Sequence, residues 1–227
     1  MRSSDHLTTE RIGTIFAEEI SERGGTVREE FDDGSRLFAR AVLPQSAEVR
    51  PGDKLQGGVA IRASEEEVSV HPYTYRLVCK NGAIHAESIE TRQLVDADFF
   101  NPIEAECALR ETIQFCCAPG SFRKTAGRMR TSADRQVNLL LVVAPFLSRM
   151  RGRERESFMA QVIAQLPPDR RGTRYDLVNL ITAAARDTRD PVAKWRLEEL
   201  GGAVAAGVVP VRPDAAARKR TGLLVPA

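Results

Sequence analysis

A short stretch in the first half of the chain combines a cysteine, a histidine and an Asn-Gly pair. It reads YRLVCKNGAIH, from Tyr75 to His85, and places Cys79 six residues before one of only three histidines. A cysteine nucleophile needs a nearby base or charge that lowers its pKa, and a base in turn needs a group that orients it. The residue types therefore leave three alternatives: a nucleophile with its base, half of a metal site, or a piece of folded core.

Neither regular backbone geometry brings Cys79 and His85 together. If Asn81-Gly82 forms a two-residue hairpin turn, Cys79 lies opposite Ile84 rather than the histidine. If the stretch is helical, six residues correspond to about 600° of rotation, which puts the two side chains on opposed faces. We therefore interpret Cys79 as a small buried hydrophobe.

Other catalytic and cofactor motifs are missing from the sequence. Structural zinc is typically bound by close pairs such as C-x2-C, and the four cysteines do not form one. The segment GRMRTS lacks the G-x4-G-K-[ST] pattern of a phosphate-binding loop, and no G-x-G-x-x-G follows a predicted strand. We predict a protein that is not an enzyme and that needs no metal and no cofactor.

The charge of the chain is divided unevenly between its two halves. Residues 1–110 hold 13 Lys/Arg against 20 Asp/Glu, a net of −7, and residues 111–227 hold 20 against 11, a net of +9. Between positions 123 and 155 there are nine basic and two acidic residues. A cluster of this kind is the electrostatic footprint of a nucleic-acid surface. The candidate contacts are Arg123, Lys124, Arg128, Arg130 and Arg135.

A second interpretation of the same charges stays open. The basic half can complement the acidic half of a neighbouring copy or of a protein partner, and nucleic acid then has no role. Phe122 beside the cations favours the first interpretation, because proteins that follow a single strand combine cations with aromatic rings on which bases stack.

Composition favours a cytoplasmic protein that does not enter a membrane. The N-terminus lacks the continuous apolar region of a signal peptide, and the most apolar run, VNLLLVVAPFL, has eleven residues. Four cysteines, two of them adjacent, are a poor basis for a disulfide framework.

The elements that must position these residues follow from periodicity. Apolar residues at helical spacing predict a helix within residues 1–24, capped by Thr8 or Thr9. Residues 25–100 alternate in polarity and contain Gly-rich and Pro-rich turns, which predicts a β-rich region. Residues 101–209 read as helices packed on that region, and residues 210–227 as a loose tail. The fold class is therefore α+β, with an N-terminal antiparallel β-rich part followed by a C-terminal helical part.

Several boundaries within the helical part are predicted from capping residues. Thr173 is the expected N-cap of one helix, and Asp190 that of the next, which should end at Gly201-Gly202. The segment SFRKTAGRMR is expected to be a basic connector with flexible cations, followed by a helix bent at Pro145. In IEAECALRETIQFCC the predicted inward stripe consists of Ile103, Cys107, Ile113 and Cys117.

Two stretches resemble a known family. GDKLQGGVAIRASEEEVSVHPYTYRLVCKNGAI resembles the core of phage/plasmid-like proteins that are grouped as a domain of unknown function. Their Arg-hydrophobic-Val-Cys-x-Asn signature matches here at Arg76, Val78, Cys79 and Asn81, and Gly82 follows it. TRYDLVNLITAAARD is similar to the closing helix of the family, with matching residues at Tyr175, Asn179 and Thr182.

The resemblance implies a gene of a mobile element, often near recombination or replication functions, with no established activity. The β-rich front and helical back also look like single-strand annealing proteins. We therefore expect a non-enzymatic protein that binds nucleic acid, with single-stranded DNA as the first candidate, and that assembles with further copies of itself. The alternative is a protein-interaction or self-assembly module without a nucleic-acid role.

Overall fold

The fold combines one antiparallel sheet with seven helices that the structure describes. The computed structural model describes residues 7–64, 67–86, 91–95, 101–148, 150 and 152–208. The tail expected at residues 210–227 lies outside the described residues. The predicted α+β class is confirmed, because the strands of the main antiparallel sheet precede all but one of the helices of the described residues.

The strands of the described part pair almost entirely in chain order. They are β1 (Thr26–Asp32), β2 (Arg36–Arg50), β3 (Asp53–Ser64), β4 (Glu67–Arg76), β5 (Asn81–Ile84), β6 (Arg92–Val95), β7 (Gln136–Asn138) and β8 (Arg171–Thr173). The main sheet has the order β1-β2-β3-β4-β5, and β6 pairs with the other end of β4. Strands β7 and β8 form a separate small ribbon within the helical part.

The helices follow the predicted order, with some changes in their limits. They are α1 (Thr9–Glu22), α2 (Pro102–Cys117), α3 (Pro119–Ala133), α4 (Leu139–Leu147), α5 (Gly152–Gln161), α6 (Arg174–Asp187) and α7 (Pro191–Ala206). The side chain of Thr8 caps α1, that of Thr173 forms a capping box on α6, and that of Asp190 caps α7. These three N-cap predictions are confirmed. N-caps can be predicted from sequence because the capping side chain bonds to backbone groups only two or three residues away.

Alternation along the strands gives the main sheet two different faces. On one face, apolar side chains such as Ala41 and Ile61 pack against Phe16 of α1 and Ile113 of α2. On the other face, Phe38 and Tyr73 pack with Trp195 of α7. A larger cluster of helical residues, joined by Leu55 of β3 and Ala83 of β5, closes the end of the sheet.

The predicted end of α7 at Gly201-Gly202 is wrong. The helix continues to Ala206 and ends at Gly207, which has the left-handed φ of 72°. A Cβ atom on Gly202 would overlap the carbonyl oxygen of Ile84, so α7 crosses β5 at backbone contact. The glycine therefore permits close packing here and does not stop the helix.

Two further predictions about the helical part need correction. Ile103 is 75% exposed and Cys107 is exposed, because the buried stripe of α2 instead runs through Leu109, Ile113 and the Cys116-Cys117 pair. The basic segment predicted as a connector is the helix α3, and the helix that contains Pro145 begins only at Leu139, after strand β7. The first error arises because packing partners distant in sequence decide which turn of a helix is buried. The second arises because Pro119 occupies the first turn of α3, where proline is favoured at the start of a helix.

Candidate nucleic-acid interface

The basic cluster lies largely on one rigid helix. In α3, Arg123, Lys124 and Arg130 are exposed, and Arg128 is half-buried. The opposite face is buried and made of small or slender side chains: Ser121, Thr125, Ala126, Met129 and Ser132. Arg123 and Arg130 are seven residues apart, which is about two helical turns at 3.6 residues per turn, so they lie on the same face of the helix. The cations are therefore fixed by the helix backbone rather than carried by a flexible loop.

Two contacts hold α3 on the sheet. The Nε atom of Arg130 donates a hydrogen bond to the carbonyl oxygen of Glu48 in β2, at 2.8 Å. The ring of Phe122 occupies the space above Gly57 in β3, where a Cβ atom would lie 2.7 Å from Cδ2 of the ring. Phe122 is half-buried by this packing. The stacking of a base on Phe122 that the sequence suggested could therefore use only the part of the ring that remains accessible.

A groove runs between α3 and the outer half of β2. It has a volume of about 420 Å³ and presents Gln45 and Ser46 on one wall and Arg123 and Arg130 on the other, with Phe122 at its base. Two guanidinium groups facing amide and hydroxyl groups provide hydrogen-bond donors for phosphate oxygens. The groove is thus chemically suited to a polyanionic chain.

The arginines of the basic cluster differ from those of α1 and α2 in whether carboxylates pair with them. Arg110 of α2 pairs with Glu18 and Glu19 of α1, and Arg11 pairs with Glu106. Within the part of the chain that the structure describes, no ion pair to a carboxylate is present for the guanidinium groups of the cluster: Arg123, Arg128, Arg130 and Arg135. Arg135 lies past the end of α3, is exposed, and precedes β7. The helix therefore carries a positive charge that its surroundings leave available.

Arg128 differs from its neighbours because it points inward. Its Nη1 atom is buried and has no hydrogen-bond partner within the described residues. Together with burial, the leading cause, its charge lowers the pKa of His85 to about 3. Arg128 consequently belongs partly to the interior, and its removal would disturb more than surface charge.

The signature residues lie in and beside the β4-β5 hairpin. Arg76 pairs with Asn81 in the ladder, and the turn consists of residues 77–80, with Lys80 in the left-handed region at a φ of 52°. The two-residue Asn81-Gly82 turn considered from sequence is therefore not the turn that forms. Gly82 lies in β5, where a Cβ atom would overlap the Tyr73 hydroxyl.

Cys79 is not a core residue as predicted. It is half-buried in a turn where Leu77 and Val78 are 42% and 62% exposed. Its Sγ atom accepts a hydrogen bond from Nη1 of Arg76 at 3.0 Å. The sequence suggested a core position because Leu and Val flank the cysteine, but the turn directs both outward.

His85 has partners of its own. Its ring is fully buried, and Nε2 lies 3.0 Å from the hydroxyl of Thr74. With a pKa of about 3, the imidazole is neutral at physiological pH. Cys79 bonds to Arg76 and His85 to Thr74, so the hydrogen bonds of neither residue form a nucleophile-base pair.

The polar signature residues join the sheet to α6. The guanidinium of Arg76 makes a bidentate pair with Asp53, at 2.7 and 2.8 Å, and the hydroxyl of Tyr175 donates to the same carboxylate at 3.1 Å. Nδ2 of Asn81 donates to the Thr182 hydroxyl at 2.8 Å. The two stretches on which the family resemblance rests thus meet in space, and their contacts are those of a structural joint.

One charged cluster was missed from sequence. Arg40 of β2 and Glu198 of α7 are both buried and form an ion pair, with Nε 2.5 Å from Oε2. The run SRLFARAVLP gave no clear signal, because alternation places Arg40 on the same strand face as Arg36, which is exposed. The partner of Arg40 is 158 residues away, which no local pattern indicates.

The comparisons with known proteins supply no relative. No family model, no curated protein and no solved structure matches the chain. In the described ranges, no group of three or more His, Cys, Asp or Glu side chains is arranged to hold a metal ion. None of the helices in these ranges combines the length and apolarity that a membrane span requires.

Proposed function

We propose that this protein binds nucleic acid, with single-stranded DNA as its first target, through the exposed face of α3 and the adjacent groove, without catalysing a reaction. The observation that carries the proposal is that Arg123 and Arg130, both on the groove beside α3, have no carboxylate partner within the described residues. The phosphate backbone dominates the affinity of such surfaces. The mobile-element origin, the cytoplasmic location and the assembly with further copies that we expect from sequence belong to this proposal.

The geometry favours backbone contact over base recognition. Arg123 and Arg130 line the groove, Lys124 lies on the exposed face beside it, and Phe122 offers only a ring edge for stacking. Contacts to phosphate position a protein on a strand but carry no sequence information. Binding should therefore depend strongly on salt and weakly on base sequence.

Fluorescence anisotropy with a labelled oligonucleotide across a salt series tests the proposal. The double variant Arg123→Ala/Lys124→Ala removes two exposed charges without touching Arg128, which is partly internal, or Arg130, which bonds to β2. Each lost phosphate contact should reduce the slope of log K against log salt by about 0.7 for a single strand. We expect a slope lower by about 1.4 and an unchanged melting temperature.

A matched control is the double variant Arg171→Ala/Arg174→Ala, which removes two exposed cations from β8 and the start of α6. Its salt slope should equal that of the wild type. Absence of binding at low salt, or equal loss in both double variants, would show that α3 is not the interface.

A self-assembly module remains the second candidate, and one observation favours it. Strand β1 is an edge of the main sheet, is almost entirely exposed, and carries Glu29, Glu30 and Asp32. An acidic edge strand is complementary to the basic face of α3 on another copy. Light scattering over a salt series without nucleic acid separates the two, since association that dissolves at high salt would favour assembly.

A further inference from the structure

A second polar cavity lies between the α7 face of the sheet and the helices. It has a volume of about 280 Å³, is distinct from the groove beside α3, and is formed by β1, β2, the β4-β5 hairpin, the end of α6 and α7. Its volume is close to the lower end of the range for small-molecule sites, about 300–1,000 Å³. The cavity is therefore of a size for a small metabolite.

The buried pair of Arg40 and Glu198 forms one wall of this cavity. The Arg40 side chain is only 3% exposed, and its Nη2 atom has no hydrogen-bond partner within the described residues. Among the described residues, Glu198 accepts a hydrogen bond from Nε of the guanidinium and not from Nη2. A buried guanidinium nitrogen without a partner is costly, because its desolvation is not repaid by a bond. An anionic oxygen in the cavity would supply the missing acceptor.

Asn81 also lines the cavity, and its side chain lacks a hydrogen-bond donor rather than an acceptor. It is buried, Nδ2 donates to Thr182, and Oδ1 has no partner in the described part of the chain. An amide oxygen accepts hydrogen bonds and cannot donate them. Two residues of the lining thus hold a buried unpaired donor and a buried unpaired acceptor, and a ligand with an anionic group and a hydroxyl that reached these atoms would satisfy both.

The net charge of the lining residues indicates how much negative charge a bound ligand should carry. The charged lining residues are Arg28, Arg40, Lys80, Arg186, Lys194, Glu29 and Glu198. Five cations and two carboxylates give a net of +3 when all are ionised. A phosphate monoester carries about −1.5 to −2 charges near neutral pH, whereas a carboxylate carries one. Arginine forks also match phosphate oxygens in geometry.

The cations that line the cavity differ in whether a carboxylate is close to them. Lys194 is already bound to both oxygens of Glu29, at 2.6 and 2.7 Å, and Nη1 of Arg40 lies 3.8 Å from the same carboxylate. Arg28 and Lys80 are exposed cations of the lining that are not paired with a carboxylate in the described residues. Their exposed charges add to the positive potential that attracts a phosphate to the cavity.

We propose that this cavity binds a small phosphate monoester that carries a hydroxyl group, with Arg40 bonding to the phosphate and Asn81 accepting from the hydroxyl. Sugar phosphates and mononucleotides share this chemistry. The proposal does not rest on nucleic-acid binding by α3, because the two sites have no lining residue in common.

Isothermal titration of the full-length protein with ribose 5-phosphate, AMP, inorganic phosphate and ribose tests the proposal. We expect saturable binding of ribose 5-phosphate or AMP, weaker binding of inorganic phosphate and none of ribose. The tighter of the two esters distinguishes a sugar phosphate from a nucleotide. If neither ester binds at millimolar concentration, or if ribose binds as well as its phosphate, the proposal is wrong.

Two double variants locate the binding. Arg28→Ala/Lys80→Asn removes two exposed charges, and asparagine tolerates the left-handed φ that Lys80 adopts. This variant should weaken the ester at least tenfold with an unchanged melting temperature. Arg123→Ala/Lys124→Ala is the control and should bind the ester like the wild type, while losing salt-dependent affinity for the oligonucleotide. Equal weakening in both variants would mean that the ester binds by general electrostatics, which contradicts the proposal.

Discussion

At the scale of single residues, the most specific part of the sequence has a structural purpose. The guanidinium of Arg76 donates hydrogen bonds to Asp53 and Cys79. Tyr175 bonds to the same Asp53 carboxylate, and burial together with the charge of Asp53 raises the pKa of the Tyr175 hydroxyl well above its ordinary value. The group is only partly exposed, with 19% of the Arg76 and 11% of the Asp53 side chain accessible. A bidentate, shielded pair of this kind fixes geometry between elements far apart in sequence.

Replacing Asp53 should test this structural assignment. Asp53→Asn removes the charge that pairs with Arg76 and replaces one of the two oxygen acceptors shared by Arg76 and Tyr175 with an NH2 donor, so we expect a loss of about 2 kcal/mol in unfolding free energy. Urea denaturation followed by circular dichroism measures it. Oligonucleotide binding should be unchanged.

Cys79→Ser is the matching test at the other end of the Arg76 network. A serine hydroxyl can accept the same hydrogen bond in a half-exposed turn, so the stability should stay within about 0.5 kcal/mol of the wild type. The same denaturation experiment applies. A loss of several times this size would restore the core interpretation of Cys79.

At the scale of secondary-structure elements, two helical glycines allow the effect of packing on stability to be distinguished from that of helix propensity. Gly202 brings α7 against the backbone of β5, while the space around Gly127 on the outer side of α3 is empty within 4 Å of an added Cβ. Both have helical backbones, so their intrinsic cost to the helix is similar. Only their surroundings differ.

The paired substitutions to alanine should therefore have opposite signs. Gly202→Ala forces α7 away from Ile84 and should destabilise by at least about 3 kcal/mol, whereas Gly127→Ala should stabilise by about 0.5–1 kcal/mol. Thermal unfolding of the two variants gives the comparison. If Gly202→Ala also stabilised the protein, the close approach of α7 to β5 would be refuted.

At the scale of the whole molecule, buried titratable groups link stability to pH. Burial, with the charge of Arg62, lowers the pKa of His71 to about 3, and His85 is lowered equally. Burial raises the pKa of Glu198 to about 7 although its pair with Arg40 opposes the shift. These groups are buried between the sheet and the helices, so their protonation affects the stability of the whole fold.

Acid should destabilise the fold through the two histidines. Below an unfolded pKa of 6.5 the unfolded chain takes up protons that the folded state refuses until pH 3, so stability falls as the pH drops across this window. Each histidine contributes up to about 1.4 kcal/mol per pH unit. Glu198 acts in the opposite sense between pH 4.5 and 7, because the folded state there holds a proton that the unfolded state releases.

The variant His85→Gln isolates one of these contributions. It removes a titrating group while keeping a polar side chain beside Thr74, so the slope of unfolding free energy against pH between 4.5 and 6.5 should decrease by up to about 1.4 kcal/mol per unit, with the full effect toward pH 4.5. Urea midpoints measured across this range provide the slope, which is independent of any constant loss of stability. An unchanged slope would mean that His85 titrates normally in the folded protein.

Much of the architecture follows from local sequence. The caps at Thr8, Thr173 and Asp190, the alternation of the long strands and the change from strands to helices near residue 101 depend on residues within a few positions of each other. The division of charge between the two halves is likewise a property of the sequence alone. These features were predictable because backbone propensity, capping and period act over short distances.

The tertiary structure decided which residues meet. It placed Cys79 in an exposed turn, carried α7 past Gly202, and joined Arg40 to Glu198 across 158 residues. It also placed Phe122 of α3 against Gly57 of β3. Burial and pairing depend on neighbours that are distant in sequence, and a single sequence contains no local signal for them.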